Sequence, residues 1–206
     1  MCIRDRLGAE ANDEMMEISQ RVSPKLSQTS NNIFLNEKLL ARVKSIYDKK
    51  EQLNLSTEDA KLLEDLYESF KANGATLNKD DKEKYRKLSM DLSMLTLQFD
   101  QNALKDKNRF ELLITDENEL SGLPESARDA AAMLAKSKDK NGWLFNLSAP
   151  SYIPFMRYSD KRDLREKMYR EYMSVGNKGD EFDNKDIIKK IVNIRLEIAQ
   201  LMGFKN

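Results

Sequence analysis

Carboxylates are the most plentiful side chains capable of chemistry in this sequence, and they come in pairs: Glu58-Asp59, Glu64-Asp65, Asp80-Asp81 and the run Glu117 to Glu119. Two carboxylates divide acid and base roles only when one sits in an apolar setting that raises its pKa. These pairs lie among Lys and Ser on faces that the surrounding pattern assigns to solvent, so they read as charged surface. Other reactive types are scarce. No histidine occurs in the 206 residues, which removes Ser-His-Asp and Cys-His arrangements and the imidazoles that a catalytic zinc site usually takes. The single thiol is Cys2, so no intrachain disulfide can form and the redox compartment is undetermined by this route. The 7 glycines are too scattered to build a phosphate loop or a dinucleotide fingerprint. Aromatic side chains remain: Trp143, Phe145, Tyr152, Phe155 and Tyr158 can stack on a ligand. Core or strand packing is the simpler account of that set, although Tyr152 and Tyr158 flank a proline-containing segment that could line a cleft.

The elements that would carry these residues are mostly helical. Gly8 to Gln20 reads as a short helix that Ser23-Pro24 ends or bends, because proline disfavours helix at the preceding residue. From about Asn32, Leu35, Leu39, Leu40, Val43, Ile46 and Tyr47 recur at helical spacing, and Asn54 ends the run. Ser56-Thr57 is an N-cap signal for a helix carrying Leu63, Leu66, Tyr67 and Phe70, and Asn73-Gly74 is its left-handed stop. A third helix, about 26 residues long from near Asn78, carries Tyr85, Leu88, Leu92, Leu95 and Phe99 at spacings of three and four. Its stripe is widened by Met94 and Leu97, which suits a helical domain better than a two-stranded coiled coil. Short connections make the first hundred residues antiparallel helices.

The pattern then changes. Residues 110–115, Phe-Glu-Leu-Leu-Ile-Thr, read as a strand, and 143–147 as a second one after the Asn141-Gly142 turn. In the second, Trp143, Phe145 and Leu147 alternate with Leu144, Asn146 and Ser148. Between the strands Pro124 opens a helix from Glu125 to about Lys136. After Pro154 the chain returns to helix: Ser159 or Asp160 caps a segment in which Leu164, Met168 and Tyr172 face one way, closed by Gly176. The last helix, from about Asn184, has Ile187, Ile191, Ile194, Ile198 and Leu201 on one stripe with Ile188, Val192 and Met202 beside it, capped by Gly203. So broad an apolar arc predicts an exposed patch above the few hundred Å² usual for monomers. The fold class expected is mainly α, with a small two-stranded β element at 110–115 and 143–147.

Composition bounds the function classes. With 40% hydrophobic and 34% charged residues the chain is a helix-rich globular sequence, and at its length a compact domain buries roughly 70% of the unfolded surface. The 35 basic residues balance 35 acidic ones, so no overall field draws nucleic acid or an anionic membrane. The Lys136 to Lys140 patch is interrupted by Asp139 and reads as a solvated loop. No apolar run approaches the roughly 20 residues of a membrane helix. There is no fixed-period repeat. Residues 1–6, MCIRDR, bear no periodic relation to the rest of the chain and read as a non-native leader, with the native N-terminus and any targeting signal missing. The compartment is undetermined, with the cytoplasm as the default.

Several of these pieces together carry a family resemblance: GLPE at 122–125, the Trp-led strand, PSYIP at 150–154 with MRYSDKRDLREKMYREY, and FDNKDIIKKIVNIRLEIAQLMGF, preceded by LSTEDAKLLEDLYESFKANGATL and LQFDQNAL. In that order they resemble the region before the catalytic core in the thimet oligopeptidase family of zinc metallopeptidases, peptidyl-dipeptidases and oligopeptidases among them. The resemblance covers residues 8–206. It implies a helical, two-lobed peptidase enclosing a channel for short peptides. There a His-Glu-x-x-His helix and a later Glu hold one zinc ion, with the motif glutamate as base. None of those residues is in this sequence, so residues 7–206 are expected to be a helical N-terminal lobe that stops before the zinc motif. The catalytic C-terminal part is then the missing partner, and no cofactor is bound by this chain itself. No catalytic or metal residue carries over. Pro150, Ser151, Tyr152, Pro154, Arg162, Arg165 and Arg195 match the family signature as fold markers, with Tyr152 and Arg157 as candidate cleft contacts.

Two other classes compete. A stand-alone helical interaction module would end in a genuine stop codon after Asn206, whereas a lobe of the peptidase would read on into the metal motif. A coiled-coil structural protein would dimerise through the stripe from Tyr85 to Phe99. Whether the peptidase removes C-terminal dipeptides or cuts internally is not encoded in these residues.

Overall fold

The computed structural model describes residues 11–206, so the leader, Cys2 and the Gly8 start of the first expected helix lie outside the described residues. Among the described residues there are eight α-helices and one two-stranded antiparallel sheet, a mainly α chain. It divides into two compact units: residues up to Gln98 with Ile187–Asn206, and Phe99–Asp186. No helix of the described residues is long and apolar enough to cross a membrane.

The first unit begins with α1 (Asp13–Phe34), capped by Asn12, whose side chain accepts from Met15 N–H at 2.9 Å. It continues unbroken through Pro24, so the helix does not end there as one of the two expected outcomes had it. Proline removes one ladder hydrogen bond and biases its neighbour away from helix, but α1 is tied to the fourth helix on both sides of it. Ser23 and Ser93 hydroxyls lie 2.8 Å apart, and Asn31 donates to Ser89 at 2.8 Å. Next come α2 (Glu37–Tyr47), capped by Asn36, a 3₁₀ turn at Lys50–Gln52, and Asn54 in the left-handed region at φ 46°. Helix α3 (Thr57–Ala72) starts where the sequence signals it, with Ser56 Oγ accepting from Asp59 N–H at 3.1 Å, and ends at Asn73 with Gly74 at φ +81°.

Helix α4 (Lys79–Arg109) has 31 residues, five more than expected. The core here joins Val43, Phe70 and Ala75 with Phe34, Leu40, Leu63 and Tyr67. Phe34 meets Phe70 edge-on at 5.3 Å, and Tyr47 stacks on Tyr67 at 4.1 Å. Aromatic pairs of this kind add about 0.5–1.5 kcal/mol beyond the area they bury. Helix α8 (Lys185–Leu201) buries Ile187 and is joined to α4 by Glu197 with Lys84 at 3.8 Å. Ile188, Val192 and Leu196 stay exposed on its other side.

In the second unit β1 (Leu112–Ile114) pairs antiparallel with β2 (Trp143–Phe145), aligning Leu112 with Phe145 and Ile114 with Trp143. Helix α5 (Glu125–Ser137) follows Pro124, which takes the N-cap position, and packs its small Ala131 and Ala135 against β2. This removes the clean alternation expected of β2. Leu144 is as buried as Phe145, because the strand is covered on both faces, while Trp143 is half-buried.

Helix α6 (Ala149–Tyr158) begins before Pro154, not after it, and contains both prolines. Pro150 occupies the first turn, where its missing N–H has no intrahelical partner to lose. Only Pro154 costs a bond, and burial of Phe155 against Phe145 at 4.8 Å holds the helix there. Helix α7 (Arg162–Met173) is preceded by Lys161 at the cap, not by Ser159 or Asp160. Both side chains are already engaged: Ser159 Oγ accepts from Lys161 N–H at 3.3 Å, and Asp160 accepts from Ser121 Oγ at 2.6 Å.

Asp106 closes this unit. Its carboxylate has no exposed surface and accepts from Gly176 N–H at 2.7 Å, Lys178 Nζ at 3.1 Å and the Arg109 guanidinium at 2.7 Å. Lys178 also binds Glu171 at 2.7 Å, and Arg109 also pairs with Asp180. Burial alone would lower the Lys178 pKa, but the hydrogen bonds its ammonium donates to Glu171 and Asp106 outweigh it and raise it. Asn184 fixes the far end of the same loop, donating to Phe99 carbonyl at 3.1 Å and accepting from Asn102 at 3.1 Å.

Removing one member of a buried charged set leaves the others uncompensated, at a cost of about 3–5 kcal/mol. Asp106→Ala is expected to lower the unfolding free energy by about 3 kcal/mol, and Asp106→Asn, which keeps an acceptor for Gly176, by about half that, read by urea denaturation. At Gly122 (φ +83°) an added Cβ would lie 2.1 Å from the Tyr158 carbonyl, whereas at Gly179 (φ +73°) it would meet nothing within 4 Å. Gly179→Ala is therefore expected to cost about 1 kcal/mol of left-handed strain, and Gly122→Ala about 3 kcal/mol, since backbone must also move. Equal losses would show that close approach at Gly122 is unimportant.

Asp183 gives a pH signature. Its carboxylate is held down to about 2 from 3.8, first by the Lys185 ammonium at 2.9 Å, then by the Lys185 N–H at 2.9 Å and the Gly179 N–H at 2.6 Å. A carboxylate whose folded pKa lies below its unfolded one stabilises the fold above the unfolded value and loses that contribution as pH falls through the folded value. Stability should thus decline between pH 4 and 2 through Asp183, and Asp183→Asn should flatten that part of the profile. A profile unchanged by the substitution would contradict the assignment.

Candidate functional site

The chain entering α6 is fixed by a knot of short polar side chains. Asn146 Oδ1 accepts from the Ser148 N–H at 3.0 Å and from the Ser148 hydroxyl at 2.6 Å, while Ser151 Oγ accepts from the Asn146 N–H at 3.0 Å. Ser151 Oγ thereby ties the start of α6 to the backbone at Asn146. Pro150 sits exposed beside it, and Pro154 lies one turn further on.

This entry angle sets Tyr152 against α7, where its ring stacks on Tyr172 at 4.2 Å and 16°. Partial burial raises the Tyr152 pKa, followed by the neighbouring Tyr172 and Tyr169 phenols. It therefore stays a neutral hydroxyl, able to donate and accept, throughout the physiological range. Tyr172, on the expected stripe of α7, is exposed on its other side, as are Tyr169, Met173, Ile153 and Tyr158. Arg157 is exposed, with its guanidinium 5.5 Å from the Tyr158 ring. The structure thus brings Tyr152 together with Tyr172 and Tyr169 on the helix pair α6 and α7, whereas Arg157 lies beside Tyr158, five residues and about 140° around α6 from Tyr152. The tyrosine group can stack on apolar or aromatic groups and hydrogen-bond through phenols, and Arg157 separately can pair with a carboxylate.

The remaining signature residues have other surroundings. Arg162 opens α7 at the surface, and Arg165 donates to the Ser159 carbonyl, holding the α6–α7 corner. Arg195 is on α8, in the other unit.

Two small cavities are the alternatives as binding sites. One of about 130 Å³ is lined by Ala127, Leu134, Leu144, Pro150 and Ser151, well below the roughly 300 Å³ of the smallest ligand pockets. The other, about 330 Å³ between α1 and α4, mixes Glu83 and Asp91 with Arg86 and Lys87, so it favours neither sign of ligand. Among the described residues no three His, Cys, Asp or Glu side chains are grouped to hold a metal ion, and the sequence has no imidazole to offer. The residues present do not fit the zinc that the resemblance implies.

Sequence reasoning missed Asp106 and its partners. The signal was there: the three-four spacing that ends at Phe99 continues through Asn102 to Asp106, which puts two polar residues on the apolar stripe of α4.

No family model matches the chain. Among curated proteins, it is 34% identical over 197 residues to Oligopeptidase A of Salmonella typhimurium, a match covering 94% of this chain and 29% of that protein. It is 38% identical over 170 residues to the Probable cytosolic oligopeptidase A of Arabidopsis thaliana, covering 79% and 24%. It is 32% identical over 197 residues to Dipeptidyl carboxypeptidase of Escherichia coli, covering 95% and 29%. The chain spans less than a third of the length of each of these relatives. Along nearly all of its residues this sequence is similar to oligopeptidases A and dipeptidyl carboxypeptidases alike, members of the thimet oligopeptidase family.

Proposed function

We propose that the chain is the N-terminal, channel-wall part of a zinc-dependent peptidase that hydrolyses short peptides, and that it is inactive alone. The observation that carries this reading is a mismatch of coverage. The match takes in 94–95% of this chain in two differently named peptidases but only 29% of either. A stretch common to an oligopeptidase and a dipeptidyl carboxypeptidase supplies what those activities share, a peptide-sized enclosure. The zinc ion, which in the family activates water for attack on the peptide bond, would be held by residues outside this stretch.

Walls that close over a substrate admit short unfolded peptides and keep the reaction away from folded proteins. In this reading Tyr152 and Arg157 line that enclosure. Tyr152 offers a ring face and a neutral hydroxyl to a passing peptide, and Arg157 a positive charge for its carboxylate. Pro150, Ser151, Pro154, Arg162 and Arg165 set the angle of α6 and the α6–α7 corner on which both stand.

Two measurements test this. The purified 206-residue chain with one equivalent of zinc should not cleave an internally quenched short peptide, and chelator-sensitive turnover would overturn the proposal. In the protein encoded by the complete reading frame, Tyr152→Ala and Arg157→Ala should each raise KM about tenfold with circular dichroism unchanged, the loss of one contact worth about 1.4 kcal/mol. Tyr152→Phe should retain most of the affinity. Unchanged KM in both alanine variants would remove these residues from the enclosure.

A further inference from the structure

Helix α8 has two apolar sides, and only one of them is used within its own unit. Ile187 is buried and Ile191, Ile194, Ile198 and Leu201 are half-buried, whereas Ile188, Val192 and Leu196 are 46%, 58% and 40% exposed. The four-residue spacing of that second set puts its members on one side of the helix. At about 100° per residue, Arg195 falls between the two stripes, inside the apolar arc and not on the polar back of the helix. Arg195 is exposed, and it enters no ion pair among the described residues. Glu197 on the far side is engaged with Lys84, so the helix is held while this face is left open.

An unpaired guanidinium within an aliphatic stripe has a specific complement. Arginine stacks and hydrogen-bonds a carboxylate in a fixed fork, and it is enriched with large apolar groups at the centre of protein interfaces. A lipid or an all-apolar partner would leave that charge buried without a counterion, which is expensive. A second copy of this face would bring arginine against arginine.

We propose that the Ile188–Val192–Leu196 face of α8 is the seat of a helical segment of the polypeptide that full-length relatives carry beyond the stretch matched here, with aliphatic side chains flanking one Asp or Glu that pairs with Arg195. This rests on the peptidase-lobe reading above. It assigns Arg195, so far only a signature residue, the role of fixing the register of that contact.

The test uses thiol accessibility in a Cys2→Ser background, with Val192→Cys on the face and Lys190→Cys on the opposite side of α8 as control. Maleimide should label both positions quickly in the 206-residue chain. In the protein encoded by the complete reading frame, Val192→Cys should react at least tenfold more slowly and Lys190→Cys at the same rate. Adding Arg195→Glu should restore fast labelling at Val192→Cys, while Arg195→Lys should not. Fast labelling in a complete protein that cleaves peptides would overturn the docking and leave the lobe reading standing. Slow labelling in a complete protein without peptidase activity would support the docking and overturn the lobe reading. Protection already present in the 206-residue chain as a dimer, or a stop codon after Asn206, would overturn the proposal.

Discussion

A single buried carboxylate sets the geometry of the second unit. Asp106 has given up all contact with water, and such a charge is stable only if its lone pairs are filled and its charge is answered nearby. Gly176, Lys178 and Arg109 do both. The consequence reaches beyond the three contacts. Because Gly176 lies just past the end of α7 and Lys178 in the loop toward α8, Asp106 on α4 anchors the path by which the chain leaves one helix to start the next. Asp183 and Asn184 complete that path, one through the backbone N–H groups of Gly179 in the loop and Lys185 at the start of α8, the other through Phe99 and Asn102.

Several polar groups at the ends of the α6–α7 pair are engaged in holding its entry and its corner. Ser151, Asn146, Ser159, Asp160 and Arg165 all bond to backbone or to neighbouring side chains. Among the exposed groups of this pair are aromatic rings, Arg157 and the charged side chains of Arg162, Asp163 and Lys167. Exposed rings and charged side chains are groups suited to recognition.

Local signals in the sequence located most elements correctly because they act within a few residues. Ser56 caps α3 through a bond to Asp59, and Gly74 ends it at positive φ, both effects a chain expresses before it packs. Longer-range forces decided the rest. Pro24 lies inside α1 because Ser93 and Ser89, some 58 to 70 positions away, hold both flanks. The α6 prolines are tolerated for complementary reasons, one by position and one by the burial of Phe155. Ser159 and Asp160 were plausible caps until Ser121, a residue from an earlier turn, claimed one of them. Asp106 was the largest omission, since a charged residue on an apolar stripe looks like the end of the stripe unless its partners are known. For the candidate face, Tyr152 could be singled out from its place in the proline segment, while its stacking partner Tyr172 required the α6–α7 corner to be built first.

The central claim is that this lobe contributes enclosure, and that the metal centre of the enzyme lies elsewhere in the polypeptide. Equilibrium dialysis of the purified 206-residue chain against micromolar zinc, with the bound metal counted by atomic absorption, addresses it most directly. The account predicts no stoichiometric, tightly retained zinc. One equivalent that survives dialysis, with peptide hydrolysis rising in proportion to it, would contradict the account.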